Sequence, residues 1–242
     1  MINFVVYFWI FIGVLTFFYL FKTTAPFGRH SSAKWGPQID NKMGWAIMEI
    51  VSPLVFSFIY FSFVETTTKL QLILLLLWNV HYINRSLIFP FRIRTKGKKM
   101  PMIVMVSAIF FNVINGSING YFLTKTTLLF PSFFTIGVVL FVVGFLINNM
   151  ADTQLIQLRK PNETGYKIPF GFLFRFISCP NLVGEIIEWI GFALMAQTLG
   201  AISFAVWTFC NLAPRAVAHH RWYKATFPDY PSSRKALIPF VW

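Results

Sequence analysis

The stretch Gly184-Glu185-Ile186-Ile187-Glu188-Trp189-Ile190-Gly191-Phe192-Ala193-Leu194 reads as the opening of an apolar helix. It nevertheless carries two of only eight carboxylates in a chain of 242 residues. Glu185 and Glu188 are three apart, so they share a helix face. In a soluble protein that face would meet water. The composition argues otherwise: 56% of the residues are hydrophobic, 19% aromatic and only 12% charged, with thirty phenylalanines. Ordinary globular domains are about 25% charged. So little charge does not cover a soluble surface of this size, so the bilayer is part of the solvent. A face with two carboxylates must then turn inward. The length suits one integral membrane domain over residues 1–242, since each crossing takes about 20 residues.

Outward from this helix, apolar runs near 2–21, 44–64, 70–91, 102–123, 127–149, 183–198 and 200–217 predict an all-α, multi-pass protein with seven transmembrane helices. The last two runs are split only by Leu199-Gly200, which leaves six spans as an alternative. Charge favours seven. Apart from Lys69, Arg85 and Lys125, all 21 Lys and Arg fall in four segments: 22–43, 92–100, 150–182 and the tail from 213. Basic and nearly neutral connections therefore alternate, as the positive-inside rule asks, with the N-terminus outside and the C-terminus cytoplasmic. The first run lacks a basic n-region and an A-x-A site, so it is expected to be a retained span and not a signal peptide. The basic run 92–100 reads by default as side chains snorkelling at a span end. Pro214 is expected to break the last helix.

The net charge of +13 raises nucleic acid as a partner, but a basic soluble domain would not be this apolar. The charge is assigned instead to cytoplasmic loops and, in part, to an anionic ligand. Cys179 and Cys210 are too far apart for a zinc or redox motif, and no metal site is expected.

Polar residues at membrane depth are costly and therefore candidates for function. They are Glu49; Asn79, His81, Tyr82, Asn84 and Arg85; Asn112, Asn115 and Asn119; Asn148, Asn149 and Asp152; Glu185 and Glu188; and His219 and His220. Most fall near span ends that the charge rule places on the cytoplasmic side, which predicts a polar pocket open to the cytosol. Helix gluing is the alternative for any single Asn, and Arg85 is a candidate counter-ion for one of the carboxylates. Gly116-Ser117-Ile118-Asn119-Gly120 is a G-x-x-x-G, read either as close helix packing or as a backbone that lets a ligand approach beside Asn115.

Four blocks in this order carry a resemblance: Asp152–Pro169 "DTQLIQLRKPNETGYKIP", Asn181–Phe192 "NLVGEIIEWIGF", Arg215–Tyr223 "RAVAHHRWY" and Asp229–Phe240 "DYPSSRKALIPF". With "MEI" at 48–50, "HYINRS" at 81–86 and "NGSINGYFL" at 115–123, residues 44–242 resemble the steroid 5α-reductase family. Sterol reductases and isoprenylcysteine methyltransferases share a looser form of the C-terminal pattern. The resemblance implies a seven-span enzyme that reduces the C4–C5 double bond of 3-oxo-Δ4-steroids with NADPH, by hydride transfer to C5. It also implies a catalytic pair, Glu49 and Tyr82, that polarises the 3-keto oxygen, and a cofactor lining that includes Asn148, Asp152, Arg159, Tyr166, Asn181, Glu185, His219 and Tyr223. No G-x-G-x-x-G follows a strand, so any nucleotide is held without a Rossmann domain.

The chemistry of these residue types agrees. A phenol that ionises near pH ~10 is a protonated donor at neutral pH, and a donor at the carbonyl oxygen acts as negative charge builds there. Which of Glu49 and Tyr82 faces the oxygen is open at this point. Arg159 and Arg215, with Arg94 or Lys96, are candidate phosphate clamps because guanidinium groups bind phosphate bidentately. Glu185 suits a neutral donor such as the nicotinamide amide or a ribose hydroxyl, since a carboxylate facing pyrophosphate would repel it. Glu188 is either a second cofactor contact or a brace for Tyr223 or Arg215. Arg85 and Asn115 are the candidate substrate contacts. The expected partners are a steroid or other lipid enone and the bilayer of a bacterial inner membrane or endoplasmic reticulum, with the cofactor site facing the cytoplasm and the protein a monomer. The rival readings are a membrane methyltransferase using S-adenosylmethionine and a small transporter with the inner carboxylates as a cation path.

Overall fold

The computed structural model describes residues 2–241 except Phe27, Thr95, Lys96, Pro161, Asn162, Thr164, Pro239 and Phe240, and it leaves the side chain of Ala33 undescribed. Lys96, proposed from sequence as an alternative phosphate ligand, lies outside the described residues, as do parts of the 152–169 and 229–240 blocks. Helix α1 (Ile2–Lys22) is followed by strand β1 (Gln38–Asp40), then by α2 (Asn41–Phe63) and α3 (Lys69–Ile83). A π-helical turn over Asn84–Ile88 continues α3 into α4 (Phe89–Arg92). Strand β2 (Lys99–Pro101), α5 (Met102–Leu123), α6 (Pro131–Gln157), α7 (Pro180–Ala196) and α8 (Leu199–Thr226) complete the chain. Among the described residues, six helical runs are long and apolar enough to cross a membrane: α1, α2, Lys69–Arg92, α5, α6 and α8. The protein is therefore an all-α, multi-pass membrane protein, apart from one short antiparallel strand pair.

Local signals in the sequence set the helix ends. The Asp40 carboxylate accepts from the backbone of Lys42 (2.9 Å) and Met43 (3.1 Å) and so caps α2. Thr68 and Gln71 form a capping box at the start of α3. Pro131 and Pro180 open α6 and α7, where their missing N–H costs nothing. Between α7 and α8, Gln197 turns left-handed at φ 51° and Thr198 caps the next helix, so the last two apolar runs are separate helices.

Two sequence expectations are corrected. Pro214 does not break the last helix: α8 runs through it to Thr226. A proline inside a helix costs about 3 kcal/mol, but Ala213 and Ala216 beside it are fully buried against Cys179, Leu182, Ile186 and Leu237, and this packing keeps the helix going. Likewise α6 does not stop near 149 but continues to Gln157, which makes the first part of the expected 150–182 loop helical. The π-helical turn has a local cause. Pro90 cannot donate to the carbonyl four residues back, and the Phe89 N–H reaches Asn84 instead.

The helices pack chiefly as α2 with α5, α6 with α7 and α1 with α8. Small residues allow the first two contacts. A Cβ on Gly184 would lie 2.7 Å from the Gly144 carbonyl oxygen, and one on Gly116 would lie 3.3 Å from the Ser52 carbonyl oxygen. The close-packing reading of the G-x-x-x-G is therefore what the fold uses. An aromatic core fills the centre, with Phe56 stacked on Trp78 at 4.2 Å and Trp189 against Phe204 at 4.3 Å. Strands β1 and β2 pair in the register Ile39 opposite Met100. This pairing pins the α1–α2 connection to the basic run 92–100.

Candidate active site

A chamber of about 1150 Å³, part of it continuous with solvent, opens among the ends of α2, α4, α6, α7 and α8 and the segments that join them. Its lining holds seven basic side chains, Arg29, Arg85, Arg94, Lys98, Arg159, Lys167 and Arg215, against two carboxylates, Asp152 and Glu185. The helical extensions beyond the sequence expectations build its walls. Because α8 continues past Pro214, Arg215, His219 and Tyr223 fall at i, i+4 and i+8 on one helix face, and all three line the chamber. Because α6 continues to Gln157, Asp152 is on a rigid helix and Arg159 follows directly after it.

The inner end is a connected polar network. Arg85 donates to the Asp152 carboxylate at 3.1 Å and lies 4.0 Å from Glu185, with its guanidinium 4.8 Å from the rings of Trp45 and Phe89. Asn181 donates to Asp152 at 3.0 Å. Asn148 donates to the Asn181 carbonyl at 3.0 Å and to Glu185 at 3.4 Å. The counter-ion reading of Arg85 thus describes the polar contacts it makes here.

Glu49 and Tyr82 are not part of the chamber lining. Both lie within electrostatic reach of Arg85 and Glu185. Tyr82 is held edge-on to His81 at 5.0 Å and tilted against Trp78 at 5.3 Å. Glu188 corrects an expectation. It is neither a second lining residue beside Glu185 nor a brace for Tyr223 or Arg215. It is fully buried and bonded to His81, Nδ1 to Oε1 at 2.7 Å. Asn115 is also fully buried and is not part of the chamber lining; its side-chain amide oxygen accepts from the Asn119 amide at 3.1 Å.

The mouth is built differently. The Arg29 guanidinium lies over the rings of Tyr223 (4.3 Å), Trp222 (4.6 Å) and Tyr166 (5.0 Å). Arg159 lies 4.7 Å from the Tyr166 ring, and Lys98 donates to the Tyr166 hydroxyl. Arg94 donates to the Arg159 carbonyl at 2.6 Å. His30 stacks on His219 at 5.3 Å. Burial, reinforced by the charges of Arg29 and Arg215, pushes the His30 imidazole below its ordinary value, so it adds no charge at neutral pH. The sequence reading missed Arg29 and Lys98 as site residues because it took their segments for topological charge. The one signal available was that both segments are too basic for a plain connection. Among the described residues, no group of three or more His, Cys, Asp or Glu could hold a metal ion.

An inner network of acids and amides is thus joined to a strongly basic mouth in a membrane protein. The family model described as 3-oxo-5-alpha-steroid 4-dehydrogenase matches residues 98–242. The chain is 39% identical over 240 residues to 3-oxo-5-alpha-steroid 4-dehydrogenase 1 of Bos taurus, covering 95% of this chain and 93% of the relative. It is 37% identical over 249 residues to steroid 5-alpha-reductase DET2 of Solanum lycopersicum (99% and 96%) and 37% identical over 229 residues to the Homo sapiens 3-oxo-5-alpha-steroid 4-dehydrogenase 1 (91% and 87%). The chain belongs to the steroid 5-alpha-reductase (3-oxo-5-alpha-steroid 4-dehydrogenase) family and is an oxidoreductase.

Proposed function

We propose that the protein reduces the C4–C5 double bond of a 3-oxo-Δ4-steroid, or a related lipid enone, with NADPH as the reductant. The observation that carries this reading is the chamber itself, with seven basic groups in its lining and the Arg85–Asp152–Glu185 cluster at its inner end. The donor set suits a phosphorylated nucleotide. The Arg29 Nη1 and His219 Nδ1 atoms are buried without a hydrogen-bond partner among the described residues, which fits groups that await an acceptor or donor from a ligand. Family membership favours this reading over the methyltransferase and the transporter.

NADPH, when bound, supplies the hydride. The chain's own residues do the rest. Tyr82 and Glu49 hold a proton at the carbonyl oxygen and stabilise the negative charge that develops there. The surrounding Trp78, His81 and Trp189 fix the phenol and keep water from it. Glu185, oriented by Asn148, accepts from a neutral donor such as the carboxamide or a ribose hydroxyl. Asp152 and Asn181 hold Arg85, whose charge keeps that wall polar beside the substrate. Arg215, His219 and Tyr223 present one helix face to the nucleotide, and Arg94, Arg159 and Tyr166 close over its phosphates. Asn115 is buried on α5, and its side-chain nitrogen has no partner among the described residues, which fits a substrate contact.

The same geometry supports seven spans. Residues from 22–43, 92–100, 150–182 and the end of α8 meet at one chamber, so α7 and α8 cross as a hairpin and α1 starts on the opposite side. At 17 residues α7 is about 26 Å long, slightly under the ~30 Å hydrocarbon thickness. The basic segments then place the chamber and the C-terminus in the cytoplasm and the N-terminus outside. The whole chain acts as one reductase domain, as a monomer, in a bacterial inner membrane or the endoplasmic reticulum. The test is turnover by purified protein in detergent with NADPH and testosterone or progesterone. The expected result is NADPH oxidation that requires the steroid and yields the 5α-reduced ketone. Oxidation independent of steroid, or none with any Δ4-3-ketone, would overturn the proposal.

A further inference from the structure

The chain beyond α8 folds back on the molecule. Pro228 cannot extend the helix, and at the second place of a turn it presets the backbone. The Tyr230 N–H closes that turn onto the Phe227 carbonyl at 3.1 Å, and the Arg234 N–H closes another onto Pro231 at 3.2 Å. The returning segment then pairs with the α6–α7 connection. The Ser178 N–H donates to the Lys235 carbonyl and the Lys235 N–H to the Phe176 carbonyl, both at 2.9 Å. Leu237 is buried with Cys179, Leu182 and Ala213. One buried hydroxyl ties the three elements together: Ser178 Oγ lies 2.6 Å from the Tyr230 hydroxyl and 2.7 Å from His220 Nδ1 on α8, and donates to the Lys235 carbonyl at 3.1 Å. Tyr230 is thereby fixed. Its ring lies 5.1 Å from the Arg234 guanidinium and stacks on Tyr223, 5.1 Å apart and 9° from parallel. Tyr223 in turn lines the chamber and accepts from Arg29 Nη2 at 3.2 Å.

We propose that residues 228–238 form a latch behind the chamber, in which Tyr230 and Ser178 are positioning residues that act on the ligand through Tyr223. This rests on the nucleotide reading above, in which Tyr223 faces NADPH. Neither Tyr230 nor Ser178 lines the chamber, so neither touches a ligand there. What they supply is order. The stack and the Ser178 bond hold the Tyr223 ring, and with it the Arg29 guanidinium, in place before the nucleotide arrives. A side chain already immobilised costs the ligand nothing to immobilise. Loss of the latch is therefore felt in the affinity for the nucleotide and not in the hydride step.

The test is NADPH binding by calorimetry, beside steady-state turnover, with purified full-length protein in detergent. Tyr230→Leu removes the stack and the hydroxyl together. It is expected to weaken NADPH about threefold to tenfold and to raise its KM to match, with kcat nearly unchanged. Ser178→Ala is expected to act in the same direction and less strongly, and Tyr230→Phe, which keeps the stack, to recover most of the affinity. Added to Tyr223→Leu, the Tyr230→Leu change is expected to cost nothing further, because residues that act as one unit are not additive. Full additivity, or a fall in kcat at unchanged affinity, overturns the latch alone. If Tyr230→Leu does not fold, amide exchange of the unaltered protein decides. Coupling is reciprocal, so NADPH is expected to slow exchange at Lys235 and Ser178 by a similar factor, and unchanged exchange overturns the latch. Failure of the unaltered protein to bind NADPH, or undiminished binding by Tyr223→Leu, would overturn the nucleotide reading at this wall and the latch with it.

Discussion

The two ends of the chamber treat charge in opposite ways. At the inner end Arg85 is held between Asp152 and Glu185, and just behind it His81 is bonded to Glu188. At the mouth Arg29, Lys98 and Arg159 rest on aromatic rings and backbone carbonyls. Depth explains the difference. The side chains of Arg85 and Asp152 are only 11% and 9% exposed, and an unpaired ion at that depth loses hydration that nothing replaces. Water reaches the mouth, so a cation there survives without a partner and stays available to a ligand. The buried ion pairs thus lie at the inner end, while most cations of the mouth rest on rings and carbonyls, with Lys167–Glu163 an exposed pair there.

Substitution at the proposed catalytic pair gives the largest break in this comparison. Tyr82→Phe and Glu49→Gln are each expected to abolish turnover, a fall of about 10³-fold or more, while nucleotide binding and folding persist. Steady-state kinetics beside a binding isotherm checks this, and near-normal turnover by both variants would remove the pair. Next in size is the buried pair behind it. Glu188→Ala leaves His81 alone in an apolar core and is expected to cost about 3 kcal/mol of stability. The double change His81→Phe with Glu188→Leu is expected to recover much of that loss. Thermal unfolding in detergent reads both, and equal loss in single and double variants would show that packing and not charge is at stake.

The smallest effect is expected at Cys179, which precedes α7 and is buried against Leu182, Ala213 and Ala216. Burial pushes its thiol up to about 12, even though Arg29 and Arg215 pull the other way. Below that pH the thiol stays protonated, and the thiolate is the nucleophile. Iodoacetamide at pH 8 should therefore leave it almost untouched, as mass spectrometry would show. Rapid labelling would mean that the mouth opens far enough to wet the α7 N-terminus.

Much of the site was legible in the sequence because membrane depth makes polar residues rare. Asn148, Asp152 and Glu185 stood out against apolar neighbours, and the structure gathers Asp152 and Glu185 onto the chamber wall, with Asn148 just behind, bonded to Glu185. Arg29 and Lys98 did not stand out, because a basic residue in a basic connection looks the same whether it serves topology or a ligand. The continuation of α8 through Pro214 was also hidden. Local rules predict a break there, and only the buried contacts of Ala213 and Ala216 override them.

By itself the sequence determined that the chain lives in a bilayer, where its helices run and which polar groups must face inward. Those follow from hydrophobic run length and from the cost of dehydrating charge, both local properties. The tertiary structure alone decided what each inward group meets. Residues three apart on a helix differ in direction by about 60°, enough for Glu185 to face Asn148 and Arg85 while Glu188 faces His81. Only the positions of the neighbouring helices, which no local pattern encodes, separate a residue of the chamber from a residue of the core.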